Sequence, residues 1–415
     1  MFKKFWLDTI LGFLFIIIIA LTVTQVAAFK VFDVFDPFGD ALADMETTDI
    51  VFSQIREDPV AEEELVIINV GNLPRQGIAD LVNIINMSEP KVIGMDMFFY
   101  NLKADTVGDI ALADALGRVE NLVMVSKLHN PNENNGFDSI ATSHPIFVQN
   151  AETAYANFIT GAADQEDIKV CRTFSPKETL KGDKVEYALS VKMAQLMNPE
   201  RVDRFLDRGN DIETINYRGN IMDYGPNPSP ITYFALDWYQ VLEMQFDPAL
   251  IKDKAVLFCF LGSEIGNREA IEDKYFTPLN KKYAGKTHAD MFGGVVHANA
   301  FSMIMSEEYI DGMSEFNSYI IAAIILYLNV ILMTYIYKAM PRWYDGLTKV
   351  IQMLEAFALF TLLIIVFNSS NYKMDLTASI LAVLIVGDAL EIFFGMVQNL
   401  FTKEGRADLI TLKKL

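Results

Sequence analysis

The sequence predicts an α/β protein: a layered, mostly parallel sheet domain outside the cytoplasm, with one transmembrane helix before it and three after. Three observations predict it. Short apolar runs alternate with helix-patterned segments between residues 65 and 305, as in strand–helix–strand units. Four apolar stretches of membrane length lie at the two ends of the chain. Charge is segregated as well. The 415 residues carry a net charge of −20, but residues 30–318 hold 24 basic and 46 acidic side chains, a net of −22. A mean hydropathy of +0.23 beside 21% charged residues fits apolar spans joined to a water-exposed domain.

At the N-terminus Lys3 and Lys4 precede an apolar stretch over residues 5–29. Val26, Ala27 and Ala28 resemble a small-residue cleavage site, but the stretch is longer than a usual signal core. Residues 1–29 are therefore expected to be an uncleaved signal anchor with its N-terminus in the cytoplasm. An acidic segment to residue 64 reads as a helix-and-loop stalk. The run 65–70, the helical pattern 78–87 and the run 92–99 form a strand, a crossover helix and a parallel strand, around which the domain should condense. Residues 109–119 continue as helix, 122–126 as strand and 129–136 as a surface loop. Further strands are expected at 168–174, 212–217 and 256–260, and helices at 187–197, 233–244 and 294–305.

From residue 319 the pattern changes. Residues 319–337, 350–367 and 376–394 have membrane length, making 319–394 a three-helix segment. Lys338, Arg342 and Lys349 lie between the first two spans, and Lys403, Arg406, Lys413 and Lys414 follow the last. Residues 368–374 hold Lys373 alone. The basic residues predict both termini inside, residues 30–318 outside and a short cytoplasmic tail over 395–415.

So acidic a domain argues against nucleic acid or an anionic lipid surface as its partner. Arg75 follows the first strand, where ligands of open sheets gather; it is a candidate for an acidic ligand group or for pairing with Asp96. Asp96 lies inside an apolar run, where an ionised group is costly unless paired. Residues 262–278 form a second candidate set, with Glu264, Asn267, Arg268, Asp273 and Thr277. His288, Asp290 and His297 match no zinc or calcium spacing, so no metal is expected, and His297 reads as packed in a helix. No cofactor motif and no catalytic motif is present, and an enzyme is not expected. Cys259 reads as a packed free thiol. In the membrane segments, Asp388 and Glu391 share a helix face near Glu355 in depth; they are candidates for a partner contact or ion handling, or pair at the interface with Lys349, Lys403 or Arg406.

Val70, Gly71, Pro74 and Arg75, the run 92–99 and residues 109–125 resemble the first half of the extracellular sensor domains called CHASE type 2. Residues 215–219, 255–262 and 273–278, with Gly294, Val295, Val296, His297 and Ala298, look like the second half, the whole resemblance covering about residues 31–310. It implies an α/β sensor domain outside a bacterial cytoplasmic membrane, usually feeding a cyclase, kinase or phosphodiesterase inside. No such output domain is expected after the last span of this chain. The expectation is a non-enzymatic inner-membrane sensor or binding subunit that acts through a separate membrane or cytoplasmic protein and can form a homo-oligomer. A structural scaffold of an envelope complex is the alternative, and an extracytoplasmic enzyme using Asp96 and Asp273 a third reading.

Overall fold

The computed structural model describes residues 2–25, 47–56, 60–104, 106–131, 136–158, 170–221, 232–267, 269–270, 272–280 and 289–397. The chain divides into two units, Asp49–Ile310 on one side and Met1–Thr48 with Asp311–Leu415 on the other.

The first unit is built on a nine-stranded sheet. Its strands are β1 (Leu65–Asn69), β2 (Val92–Met95), β3 (Leu122–Pro131), β4 (Phe137–Thr142), β5 (Ala151–Tyr155), β6 (Lys177–Leu180), β7 (Lys184–Tyr187), β8 (Phe234–Leu236) and β9 (Ala255–Cys259). The order is β8-β1-β9-β2-β3-β4-β6-β7, with β5 also paired to β3. Strands β8, β1, β9, β2, β3 and β5 are mutually parallel, so their carboxyl ends share one edge. β1, β2 and β9 are buried along their whole length, which is why they read as unbroken apolar runs.

Side-chain alternation assigns the two faces of the sheet. Val66 and Ile68 of β1, Ile93 and Met95 of β2 and Val256 and Phe258 of β9 pack in one cluster with α2 (Arg75–Asn86) and α3 (Thr106–Gly117). In α2, Ile78, Leu81, Val82 and Ile85 recur at helical spacing and are all buried. Opposite faces belong to the intervening residues. A Cβ on Gly94 would collide with Met193 of α4 (Leu189–Met197), so glycine allows that helix to approach. After α5 (Pro199–Leu206), the last helix of this unit is α6 (Gly293–Ser306), buried along almost its whole length.

Several expectations shift. The strand at 92–99 stops at Met95, so Asp96 stands just past the strand's end rather than inside it. The run continues because Met97 and Phe99 pack on the core without being strand. Residues 233–244, expected as one helix, split into edge strand β8 and a short helix, Trp238–Leu242. A capping box between Asp237 and Gln240 marks the break. Residues 168–174 and 212–217 give only the two-residue pair Thr173–Phe174 with Glu213–Thr214, and residues 168–169 lie outside the described residues. β3 is longer than expected, running to Pro131 through the expected loop, and β4 to β7 were not foreseen. Cys171 and Cys259 are both free and buried.

The second unit contains α1 (Phe2–Gln25), α7 (Glu315–Ala339), α8 (Tyr344–Ser370) and α9 (Thr377–Ile392). Among the described residues three helical segments, Glu315–Ala339, Pro341–Ser370 and Thr377–Gly395, are long and apolar enough to cross a membrane. Ile16 of α1 packs with Val330 and Met333 of α7 and with Val386 and Leu390 of α9. A Cβ on Gly12 would stand 2.7 Å from Leu390, so the small residue admits close helix contact. Asp8 of α1 pairs with Lys338 of α7. The cleavage-like Val26, Ala27 and Ala28, most of the stalk and residues 398–415 lie outside the described residues.

Candidate functional site

The site lies at the carboxyl edge of the sheet, where open α/β sheets hold ligands. A pocket of about 180 Å³ opens there, and Asp96, Lys127, Phe158, Asp273, Tyr275 and His297 are among its lining residues. Each arrives by a different element. Asp96 follows β2, and its N–H donates to the Phe258 carbonyl (2.8 Å), the last rung toward β9. Two residues beyond Gly94, its side chain falls on the same face of the sheet as that glycine, away from α2 and α3. Lys127 comes from β3, Phe158 from the segment after β5, and His297 from the first turn and a half of α6.

Asp273 is delivered by a two-residue antiparallel ladder, β10 (Lys274–Tyr275) with β11 (Met291–Phe292). That register sets Asp273 opposite Gly293, whose N–H donates to the Asp273 carbonyl (2.9 Å). Asp273 has φ +56°, a left-handed conformation that turns the chain into the ladder. Nearby, Asp290 accepts from the Thr277 amide (2.9 Å), the Thr277 hydroxyl (2.6 Å) and the Asn280 amide (3.2 Å), closing the base of this ladder.

The start of α6 needs two glycines. A Cβ on Gly293 would stand 3.1 Å from both carboxylate oxygens of Asp273. On Gly294 it would collide with Cys259 and stand 3.6 Å from an Asp96 oxygen. The helix thus begins against two carboxylates and a buried thiol.

Burial pushes the Asp96 carboxyl up to about 7, and the Asp273 charge adds to the rise. Burial also raises Asp273, to about 6. Asp96 is the more deeply set of the two and also feels the Asp273 charge, so Asp96 is the stronger holder of a proton near neutrality. Burial depresses His297 to about 4, opposed by its hydrogen bond with the Ala156 backbone. His297 is therefore neutral at physiological pH; it is 5% exposed and stacks on Phe158 with ring centroids 4.5 Å apart. Phe158 in turn meets Tyr275 edge-on at 4.9 Å. Burial raises the Cys259 thiol well above its ordinary range, with Asp96 and Asp273 adding, so it is a packing group rather than a nucleophile.

Of the residues singled out in the sequence, Asp96 and Asp273 come together here. Arg75 does not join them. It pairs with Asp109 and donates to the Asn101 carbonyl (2.6 Å), with its guanidinium 5.1 Å from the Phe147 ring centre. Gly108 explains the difference: its position has only 3.3 Å between an added Cβ and the Gln76 amide nitrogen, so α3 approaches the start of α2 and sets Asp109 beside Arg75. The hydrogen bond from Arg75 is the main cause that holds Asp109 below its ordinary carboxylate range. Thr277 is buried and spent on Asp290. Asn267 bonds to Ser263 (3.1 Å), while Arg268 and His288 lie outside the described residues.

In the helical unit Asp388 pairs with Lys349 at 2.6 Å, with both side chains exposed. Glu391 is exposed and Glu355 half-buried, with one Glu355 oxygen lacking a hydrogen-bond partner among the described residues. Among the described residues no group of three or more His, Cys, Asp and Glu could hold a metal. Lys127, Phe158 and Tyr275 went unnoticed in the sequence because they come singly from separate elements, with no spacing to mark them.

A family model described as CHASE2 domain matches residues 10–334. No curated protein and no solved structure matches the chain.

Proposed function

This chain belongs to the CHASE2 domain family, a family of sensor domains, and we propose on that footing that it is a non-enzymatic sensor or binding subunit of a bacterial inner membrane. In this reading a layered α/β domain faces outward, with one span before it and three after. The pocket at the carboxyl edge of β2 and β3 receives the signal, and a separate membrane or cytoplasmic protein carries it onward. The observation that carries the reading is that pocket: aromatic side chains and two carboxylates converge on one concave site at the sheet edge where ligands of such folds gather. A protein-binding scaffold has less support from the same feature, because it would need an exposed apolar patch instead.

One observation favours a second reading. Asp96 and Asp273 line the same pocket with unequal proton affinities, an arrangement usable for acid–base catalysis. The test of the first reading is purification of the full chain from native membranes in gentle detergent, with mass spectrometry of what stays bound. A second protein at fixed stoichiometry, retained through further columns, is the expected result. A chain that purifies alone under every mild condition tried would overturn action through a partner.

A further inference from the structure

We propose that the pocket binds a small organic molecule through a primary ammonium group, held by the Asp96 and Asp273 carboxylates and by the His297 imidazole. This inference rests on the sensor reading and names the chemical class of its ligand. Four features support it. The Asp96 carboxylate has no ion pair or hydrogen bond to any described side chain, although the domain is rich in arginine pairs elsewhere, such as Arg75 with Asp109 and Arg208 with Glu213. Among the described residues Lys127 is the one cation lining the pocket, so with both acids ionised these residues carry a net charge of −1, which a monocation neutralises.

The third feature is His297. It is 5% exposed, lines the same pocket and is neutral. A neutral imidazole keeps one ring nitrogen as an acceptor, so with the two carboxylates the lining residues carry three acceptor groups for the three N–H bonds of a primary ammonium. Fourth, Phe158 and Tyr275 supply the aromatic wall that an alkyl chain or a cation packs against. A hard metal ion would draw on oxygens alone and make no use of these rings.

The experiment titrates the full chain in lipid nanodiscs with butylammonium, followed by ligand-observed NMR with empty nanodiscs as reference. Butyltrimethylammonium and butyrate serve as controls of equal chain length. Saturable butylammonium binding is expected, weakened at least tenfold by Asp96→Asn and separately by Asp273→Asn in variants that keep the wild-type melting transition. Butyltrimethylammonium, which has no N–H, is expected to bind at least tenfold more weakly than butylammonium. Equal binding of the two cations, unchanged binding in both variants, or no binding at all would overturn the proposal. Butyrate binding that depends on the pocket would overturn the ammonium class and leave the sensor reading standing. That reading fails only through its own copurification test.

Discussion

The Asp273 carboxylate lies so near the Gly293 backbone that a Cβ there would stand 3.1 Å from both of its oxygens. One residue on, Gly294 faces Cys259 and Asp96 in the same way. Two adjacent glycines thus let the start of α6 approach both acids of the pocket.

The two positions respond differently to alanine. At Gly294 the added methyl meets the buried Cys259 side chain, and the expected cost is that of overpacking a core, about 1–3 kcal/mol. Gly293→Ala crowds the Asp273 carboxylate and the edge of the Tyr275 ring, both at the pocket, and should cost less stability than Gly294→Ala while weakening ligand binding. Denaturation curves of the two variants, set beside their binding isotherms, separate these effects.

Asp96 makes stability depend on pH in a definite direction. Its folded-state carboxyl is raised to about 7, against about 3.9 in an unfolded chain. Between those values the native state keeps a proton that the unfolded state has lost, so stability falls as pH rises through the window and levels off above 7. Asp96→Asn removes that dependence. The variant should gain on the wild type steadily from pH 4 to pH 7 and hold its advantage above it. Asp290 and His297 titrate in both proteins and cancel in the difference, which therefore reports Asp96 together with its coupling to Asp273. Chemical denaturation at pH 4.5, 6 and 8 measures it.

Arg75 separates a structural role from a binding role. Arg75→Ala strands the buried Asp109 carboxylate without its guanidinium, and a clear drop in melting temperature is expected. Arg75→Lys should recover only part, since one ammonium cannot serve both Asp109 and the Asn101 carbonyl in a planar fork. At a temperature where the variants remain folded, binding at the pocket should be unchanged. Melting curves and isotherms on the same samples check this.

Topology can be read with single cysteines, because Cys171 and Cys259 are both buried and should resist labelling. Lys127→Cys is expected to react with a membrane-impermeant maleimide in intact cells. Asp345→Cys, at the start of α8, should react only after permeabilisation. The reverse pattern would invert the proposed orientation.

Much of the fold was legible in the sequence because buried parallel strands and apolar spans leave long, uniform signals. β1, β2 and β9, the helices α2 and α6 and the three C-terminal apolar helices lie within a few residues of their expected places. Partner choice was not legible. Arg75 and Asp109 are 34 residues apart, and nothing at that distance marks them as a pair rather than Arg75 with Asp96. Asp96 was conspicuous because a charge in an apolar run is conspicuous. Its companion Lys127 was not, since an exposed lysine looks ordinary until a fold brings it to one edge, and His297 stood out only as a histidine packed in a helix. The β6–β7 hairpin was missed for a related reason: Lys177, Glu178, Lys184 and Glu186 put charge along both strands, on the buried Glu186 as well, which hides them from any hydrophobic pattern.

The most direct measurement is native mass spectrometry of the full chain isolated from its own membranes, wild type beside Asp96→Asn. A small-molecule adduct that the wild type retains and the variant loses, with the same fold in both, is the expected result. Identical adduct patterns in the two proteins, or no adduct in either, would contradict a ligand pocket built on Asp96.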